Sequence, residues 1–436
     1  MQPGLSYDQA PPFHVPLRFF LTAPLFGVAA GLLLAWHGAD ALASRWSPGA
    51  LALTHLLTLG FATMVMTGAL TQILAVVAGR RIPRLVPIAT LTHGGLTAGA
   101  AMLSMAFLLG EPALFTAAAA LLGAAILPFA AAAGWATLRS PAQGPTVPGI
   151  RLALLALTIT ALIGGAMALQ RGGWAGPAGP AVAYHATWGL AGWIGLLVAA
   201  VAYQVVPMFQ QTPSYPPWMS RHFAPGLAGI LAAWTAARLG DSGSVAGILA
   251  ALAVLALTAF AVQTLLLQAR RRRRTSDAAV LFWRVGLGCA IGAAGNWAWL
   301  LAVPAEAVPP WVPVMLGTLA LAGATVSLIC GMLYKIVPFL AWLHLQPLAG
   351  HRWRIPNMRE LVPARAVLAH FWTHCAALAV LAAAVYVPDL ARAAGAATAF
   401  AFSVMGWNLA RASARYRSTR VRLEALARME DPQLPR

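Results

Sequence analysis

The sequence predicts an all-α polytopic membrane protein of twelve transmembrane helices, arranged as three parallel repeats of four. Three observations predict it: composition, the spacing of apolar runs, and a motif that recurs where the longest runs end. Of 436 residues, 60% are hydrophobic and 9% charged, and a mean hydropathy of +0.74 moves the chain out of water. A bilayer core takes about 20 apolar residues in helical form. Twelve stretches qualify, at 16–36, 49–78, 85–110, 113–138, 149–169, 180–210, 223–239, 245–269, 278–302, 309–342, 364–387 and 390–411, separated by Gly, Pro or Arg punctuation.

Residues 1–15 precede the first stretch and contain no Lys or Arg, so they read as a short polar cytoplasmic tail and not as a secretory signal. The membrane domain is expected to span 16–411. Arginine accumulates after the second stretch (Arg80, Arg81, Arg84), after the eighth (Arg270 to Arg274), after the tenth (Arg352, Arg354, Arg359) and beyond Arg411. By the positive-inside rule these segments face the cytoplasm of a bacterial inner membrane, with both termini inside. Residues 412–436 form a basic cytoplasmic tail, with Leu423 and Leu426 spaced for a short helix on the membrane surface. The 29 basic residues against 11 acidic ones give a net charge of +18. Because the arginines lie between apolar runs, this excess reports topology and anionic lipid, not nucleic acid.

The second, sixth and tenth stretches are the longest. The second ends Gly68-Ala69-Leu70-Thr71-Gln72, the sixth Ala202-Tyr203-Gln204-Val205-Val206-Pro207, and the tenth Gly331-Met332-Leu333-Tyr334-Lys335-Ile336-Val337-Pro338. Past two of these ends, Ile82-Pro83 to Leu85-Val86-Pro87 parallels Ile355-Pro356 to Leu361-Val362-Pro363. A four-helix unit present three times in the same orientation accounts for the pattern. It places Gln72, Gln204 and Lys335, the one lysine of the chain, at matching positions near the cytoplasmic face. A snorkelling lysine is the simplest reading of Lys335, and a polar inner gate is the other.

Ionisable groups inside hydrocarbon are costly and carry functional information. None of the acidic residues falls clearly within an apolar core, which argues against an ion-coupled pump. Cys289, Cys330 and Cys375 form no CxxC pair, which excludes attached haem c and cysteine-held clusters. What the stretches do contain is histidine: His55 in the second, His93 in the third, His185 in the sixth, and His370 with His374 in the eleventh. Imidazole is a ligand for haem iron and copper. His55 and His185 sit at similar depth on repeat-related stretches, so a haem b or a copper between them is expected, with His93 as a further metal candidate. A histidine hydrogen-bonded across a helix interface is the structural alternative. His370 and His374, at i and i+4, share a helix face, where they could clamp one metal or serve packing. His222, His344 and His351 read as interfacial.

With Thr54-His55-Leu56-Leu57-Thr58-Leu59-Gly60 and the Gly331 to Phe339 motif, the chain resembles subunit I of the haem-copper oxidase superfamily. The nearest branch is the divergent one that includes C-type oxidases and the NnrS-type haem and copper membrane proteins. The resemblance implies that His55 holds a low-spin haem and His185 an active-site copper. The chain departs from the family in two places. The seventh stretch, between Phe223 and Arg238, has no adjacent histidine pair, and the tenth has no histidine between Trp311 and Trp342, leaving Met315 as the one side chain there able to ligate iron. A complete oxygen-reducing centre is therefore not expected. The implied function is a haem- or copper-binding membrane protein in electron transfer, nitrogen-oxide response or metal handling, with a respiratory or redox protein as partner. The alternatives are a small-solute transporter along the three-fold axis, gated by Gln72, Gln204 and Lys335, and a non-catalytic subunit of a respiratory complex.

Overall fold

The computed structural model describes residues 11–176, 181–272, 277–350 and 352–430. The expectations for residues 1–10, Arg273, Arg274, His351 and 431–436 lie outside the described residues. Every element among those described is helical. In chain order the long helices are α1 (His14–His37), α2 (Pro48–Val77), α3 (Leu85–Leu109), α4 (Pro112–Leu138), α5 (Thr146–Arg171), α6 (Ala181–Gln210), α7 (Pro217–Leu239), α8 (Gly243–Ala269), α9 (Ala278–Ala302), α10 (Trp311–Ala349), α11 (Ala364–Tyr386) and α12 (Ala391–Glu430).

Among the described residues, ten helices are long and apolar enough to cross a membrane. The two long helices outside this set are α7, which carries Arg221, His222 and Arg238, and α12, whose second half is rich in arginine. The starts are chemically explicit. Ser47 caps α2, its Oγ accepting from Ala50 N at 3.0 Å with Pro48 in the first turn, a pairing that fills one orphan donor and removes another. Asp277 caps α9 by accepting from Ala279 N at 3.1 Å.

Sequential helices pack as antiparallel neighbours, and α1 closes against α12, as short connections require. α2, α6 and α10 form the inner layer: 78%, 56% and 67% of their apolar windows are buried, against 22% for α5 and α8. The arginine clusters meet on one face. Arg80 Nε donates to the Arg139 carbonyl (3.1 Å), Arg272 N to that of Gln211 (2.9 Å), and Arg422 to that of Arg354 (3.2 Å).

The C-terminal segment differs from expectation. α12 runs unbroken to Glu430, so no separate surface helix begins at 412. Arg415 donates to the Glu360 and Leu361 carbonyls at 2.7 and 3.0 Å, Tyr416 packs edge-on against Phe13, and Leu423 is fully buried. The arginines decorate a helix that docks through its apolar residues. A chain ending at Arg411 is expected to lose about 3–5 kcal/mol, the burial of two large side chains. Thermal unfolding of the truncated protein in detergent checks this, and an unchanged midpoint would show the docking to be dispensable.

Candidate metal centre

α2, α6 and α10 share an irregularity. Each passes from α- to π-helix for about two turns, at Leu56–Thr63, Trp188–Leu196 and Thr318–Thr325. π-Helical hydrogen bonding is rare and concentrates at functional sites. At this level Trp193 Nε1 donates to Thr63 Oγ1 at 3.0 Å, tying α6 to α2.

The two histidines lie just ahead of these segments. His55 is the residue before the first π segment and His185 comes three residues before the second. Their imidazoles face each other with ring centroids 6.3 Å apart and planes 22° from parallel. His55 Nδ1 lies 2.7 Å from the Leu51 carbonyl oxygen and His185 Nδ1 lies 3.0 Å from that of Thr160 on α5. A carbonyl only accepts, so both Nδ1 atoms carry the proton in these bonds and both Nε2 atoms keep their lone pairs. Metal-binding histidines are oriented in this way by outer hydrogen bonds.

The surroundings are apolar and aromatic. Phe107 of α3 stacks on His55 at 5.1 Å, and the Arg171 guanidinium stands 6.0 Å above Phe107. The His185 ring occupies the space over Gly164 of α5, where a Cβ would come within 2.6 Å of His185 Cε1. Sequence reading missed Phe107, Arg171, Thr160 and Gly164. The Gly164-Gly165 pair was the available signal, since a glycine inside a membrane helix marks close approach.

The other candidates are elsewhere. His93 is fourteen residues before Phe107 on α3, about 21 Å along the helix, where Nε2 pairs with Thr22 Oγ1 at 2.9 Å and the ring meets the edge of Phe19. It joins α1 to α3, so the expected metal set His55, His185 and His93 does not form one site. His370 and His374 are buried, with centroids 6.1 Å apart, between Phe282 of α9 and the α10 residues Tyr334 and Ser327. His374 Nε2 lies 2.8 Å from Ser327 Oγ, and His370 Nδ1 has no partner. The four histidines expected to bind cofactor therefore form two separate pairs. The described residues contain no cluster of three or more His, Cys, Asp and Glu side chains. Met315 is buried among Val314 and Val385 as a core side chain.

The polar residues at the inner ends also separate. Lys335 does not snorkel: its Nζ forms an ion pair with Asp277 Oδ2 at 2.6 Å. Gln72 is buried with neither amide atom bonded. The cavity between α2, α6 and α10, ≈ 70 Å³, is lined by apolar side chains such as Leu70, Val201 and Ile329, and by none of Gln72, Gln204 or Lys335. Sequence reading missed the Lys335 partner because Asp277 precedes α9, outside every apolar run. With the two side chains 24% and 30% exposed, Lys335→Met and Asp277→Asn are each expected to cost about 1 kcal/mol or less. In a double-mutant cycle by thermal unfolding, the paired change should cost no more than either single change.

The chain matches no protein-family model, and no curated protein matches it significantly.

Proposed function

We propose that the chain is a metalloprotein of the bacterial inner membrane in which His55 and His185 together hold one metal centre, a copper ion or the iron of haem b. The observation that carries the reading is the facing pair of imidazoles with both Nδ1 atoms committed to carbonyls. Metal–nitrogen bonds of about 2 Å to two opposed rings place their centres about 6 Å apart, close to the 6.3 Å found. Where the family implies two centres, one at each histidine, this geometry favours one centre shared between α2 and α6.

The centre, when bound, supplies one-electron redox chemistry or an open position for a small neutral ligand. The Leu51 and Thr160 carbonyls hold each imidazole in the tautomer that presents Nε2. Phe107 covers the outer side of His55 and limits water. The apolar lining favours the less charged state of the pair and admits neutral ligands from the bilayer.

The larger architecture belongs to the same proposal. α7 and α12 complete twelve spans, and the chain is three parallel four-helix units of the haem-copper oxidase type. In support, the π segments begin eight, seven and seven residues after the starts of α2, α6 and α10, and Gln72, Gln204 and Lys335 follow at nearly equal distances. The arginine-rich face is cytoplasmic by the positive-inside rule.

Metal analysis and a pyridine haemochrome assay on purified protein test the site. One equivalent of copper or haem is expected, falling below a tenth in His55→Ala and in His185→Ala and unchanged in His93→Ala. Protein without stoichiometric metal, or metal retained in both single variants, would overturn the reading.

A further inference from the structure

We infer that α1, α2, α10, α11 and α12 enclose a binding site for a single-chain amphiphile with an anionic head, of the long-chain carboxylate class. The site is a cavity of ≈ 150 Å³ in a sector separate from α5 and the Gly164 seat of His185. A dry apolar cavity of about this volume takes up a guest as large as benzene. The walls are apolar, with Leu53, Leu57, Leu321 and Leu378 on four sides.

The cavity is elongated. On α11 its lining runs from Leu381 to His374, seven residues or about 10 Å of helix rise. At its outer end stands Arg45, in the connection between α1 and α2, the one lining residue with a permanent charge. Its guanidinium is exposed and rests 4.5 Å from the ring of Trp46, so it is held at the rim. At the inner end His374 is 6% exposed and its Nε2 is engaged by Ser327, which leaves the deep end largely apolar. A cationic rim over an apolar shaft matches a head and a chain.

The charge is what selects the occupant. Lipid tails are as apolar as these walls, so burying an alkyl chain gives this cavity no preference over the bilayer. A carboxylate paired with a planar guanidinium forms two charge-assisted hydrogen bonds, which an alcohol or ester cannot match. The inference is independent of the metal reading, since none of its contacts involves His55 or His185.

Native mass spectrometry of the full chain released from nanodiscs of neutral phosphatidylcholine tests it, with palmitate and 1-hexadecanol as probes. One palmitate per protein should be retained, and hexadecanol at least tenfold less. Arg45→Gln should lower palmitate retention at least tenfold, the scale of a lost charged hydrogen bond. Gly317→Leu should abolish it: Gly317 lines the cavity and a Cβ there meets no atom within 4 Å, so the leucine fills the shaft without a clash and improves helix propensity. Equal retention of acid and alcohol would replace the carboxylate with a neutral guest and overturn the proposal. So would undiminished palmitate in either variant at wild-type thermal stability.

Discussion

Gly31→Val is expected to prevent assembly of the helix bundle. Gly31 faces the backbone of α12, where an added Cβ would stand 2.3 Å from Ala399 N and 2.7 Å from the Gly395 carbonyl oxygen. The reverse contact is as close, since a Cβ at Gly395 would be 2.2 Å from Ala35 N. No side-chain rotation relieves these contacts, because the obstructing atoms are main chain. In a bilayer, helices associate through close van der Waals fit and not through escape from water, and small residues set that fit. A valine must therefore push the first helix away from the last, at a cost of about 3 kcal/mol or more, the upper range for overpacking. Gly123→Val, on α4 with no atom within 4 Å of its Cβ, is the matched control. Size-exclusion profiles and thermal midpoints should separate the two variants, and equal behaviour would show that the close approach of α1 and α12 is not needed for folding.

Gly164→Ala is expected to weaken metal binding about 10- to 100-fold, the range for loss of a ligand-orienting group, with both histidines still in place. The new methyl carbon would lie 2.6 Å from His185 Cε1 and 3.0 Å from its Nδ1. The ring can swing aside at little cost to the fold, but the swing breaks the 3.0 Å bond to the Thr160 carbonyl and turns Nε2 away from His55. Gly165→Ala, one residue on with nothing within 4 Å, should bind as the wild type does. Retention of metal against a titrated chelator measures the difference. If the two alanine variants behave alike, His185 is not held by the surface of α5.

The helices and the special length of α2, α6 and α10 are legible in the sequence because hydrocarbon thickness imposes a run length that composition reveals directly. Arginine placement likewise reports which connections share a face, and Arg80, Arg272 and Arg422 do bridge neighbouring ends there. The azimuth of a side chain is a different matter. Helices that are apolar on every side carry little periodicity to say which face turns inward, so the pairing of His55 with His185, and the separation of both from His93, cannot be read from spacing. The π segments hide for the same reason: Leu56–Thr63 is as apolar as its flanks, and the register is settled by packing. The resemblance to haem-copper oxidases carries depth along α2 and α6 onto the histidines but not rotation about the helix axes. Lys335 shows the limit from the other direction, because its partner Asp277 belongs to a helix cap 58 positions away. The end of α12 misleads because charge density suggests a solvated tail, while Tyr416 and Leu423 dock it.

The π segments also determine how the chain tolerates changes of length. A π turn holds one residue more than an α turn, so deleting one residue from Leu56–Thr63 would let α2 close into uninterrupted α-helix. Everything after the deletion would then turn by one helical step, about 100°. Val65, Ala69 and Ile73 would leave the central cavity that they now line with α6 and α10, and Gln72 would move to another neighbour. His55, upstream of the deletion, would keep its place. A missing residue there is thus a rotation of half the span, whereas the same loss in an interhelical connection only shortens a tether. Conservation of phase, more than of residue type, is the constraint these three segments place on the lineage of the chain.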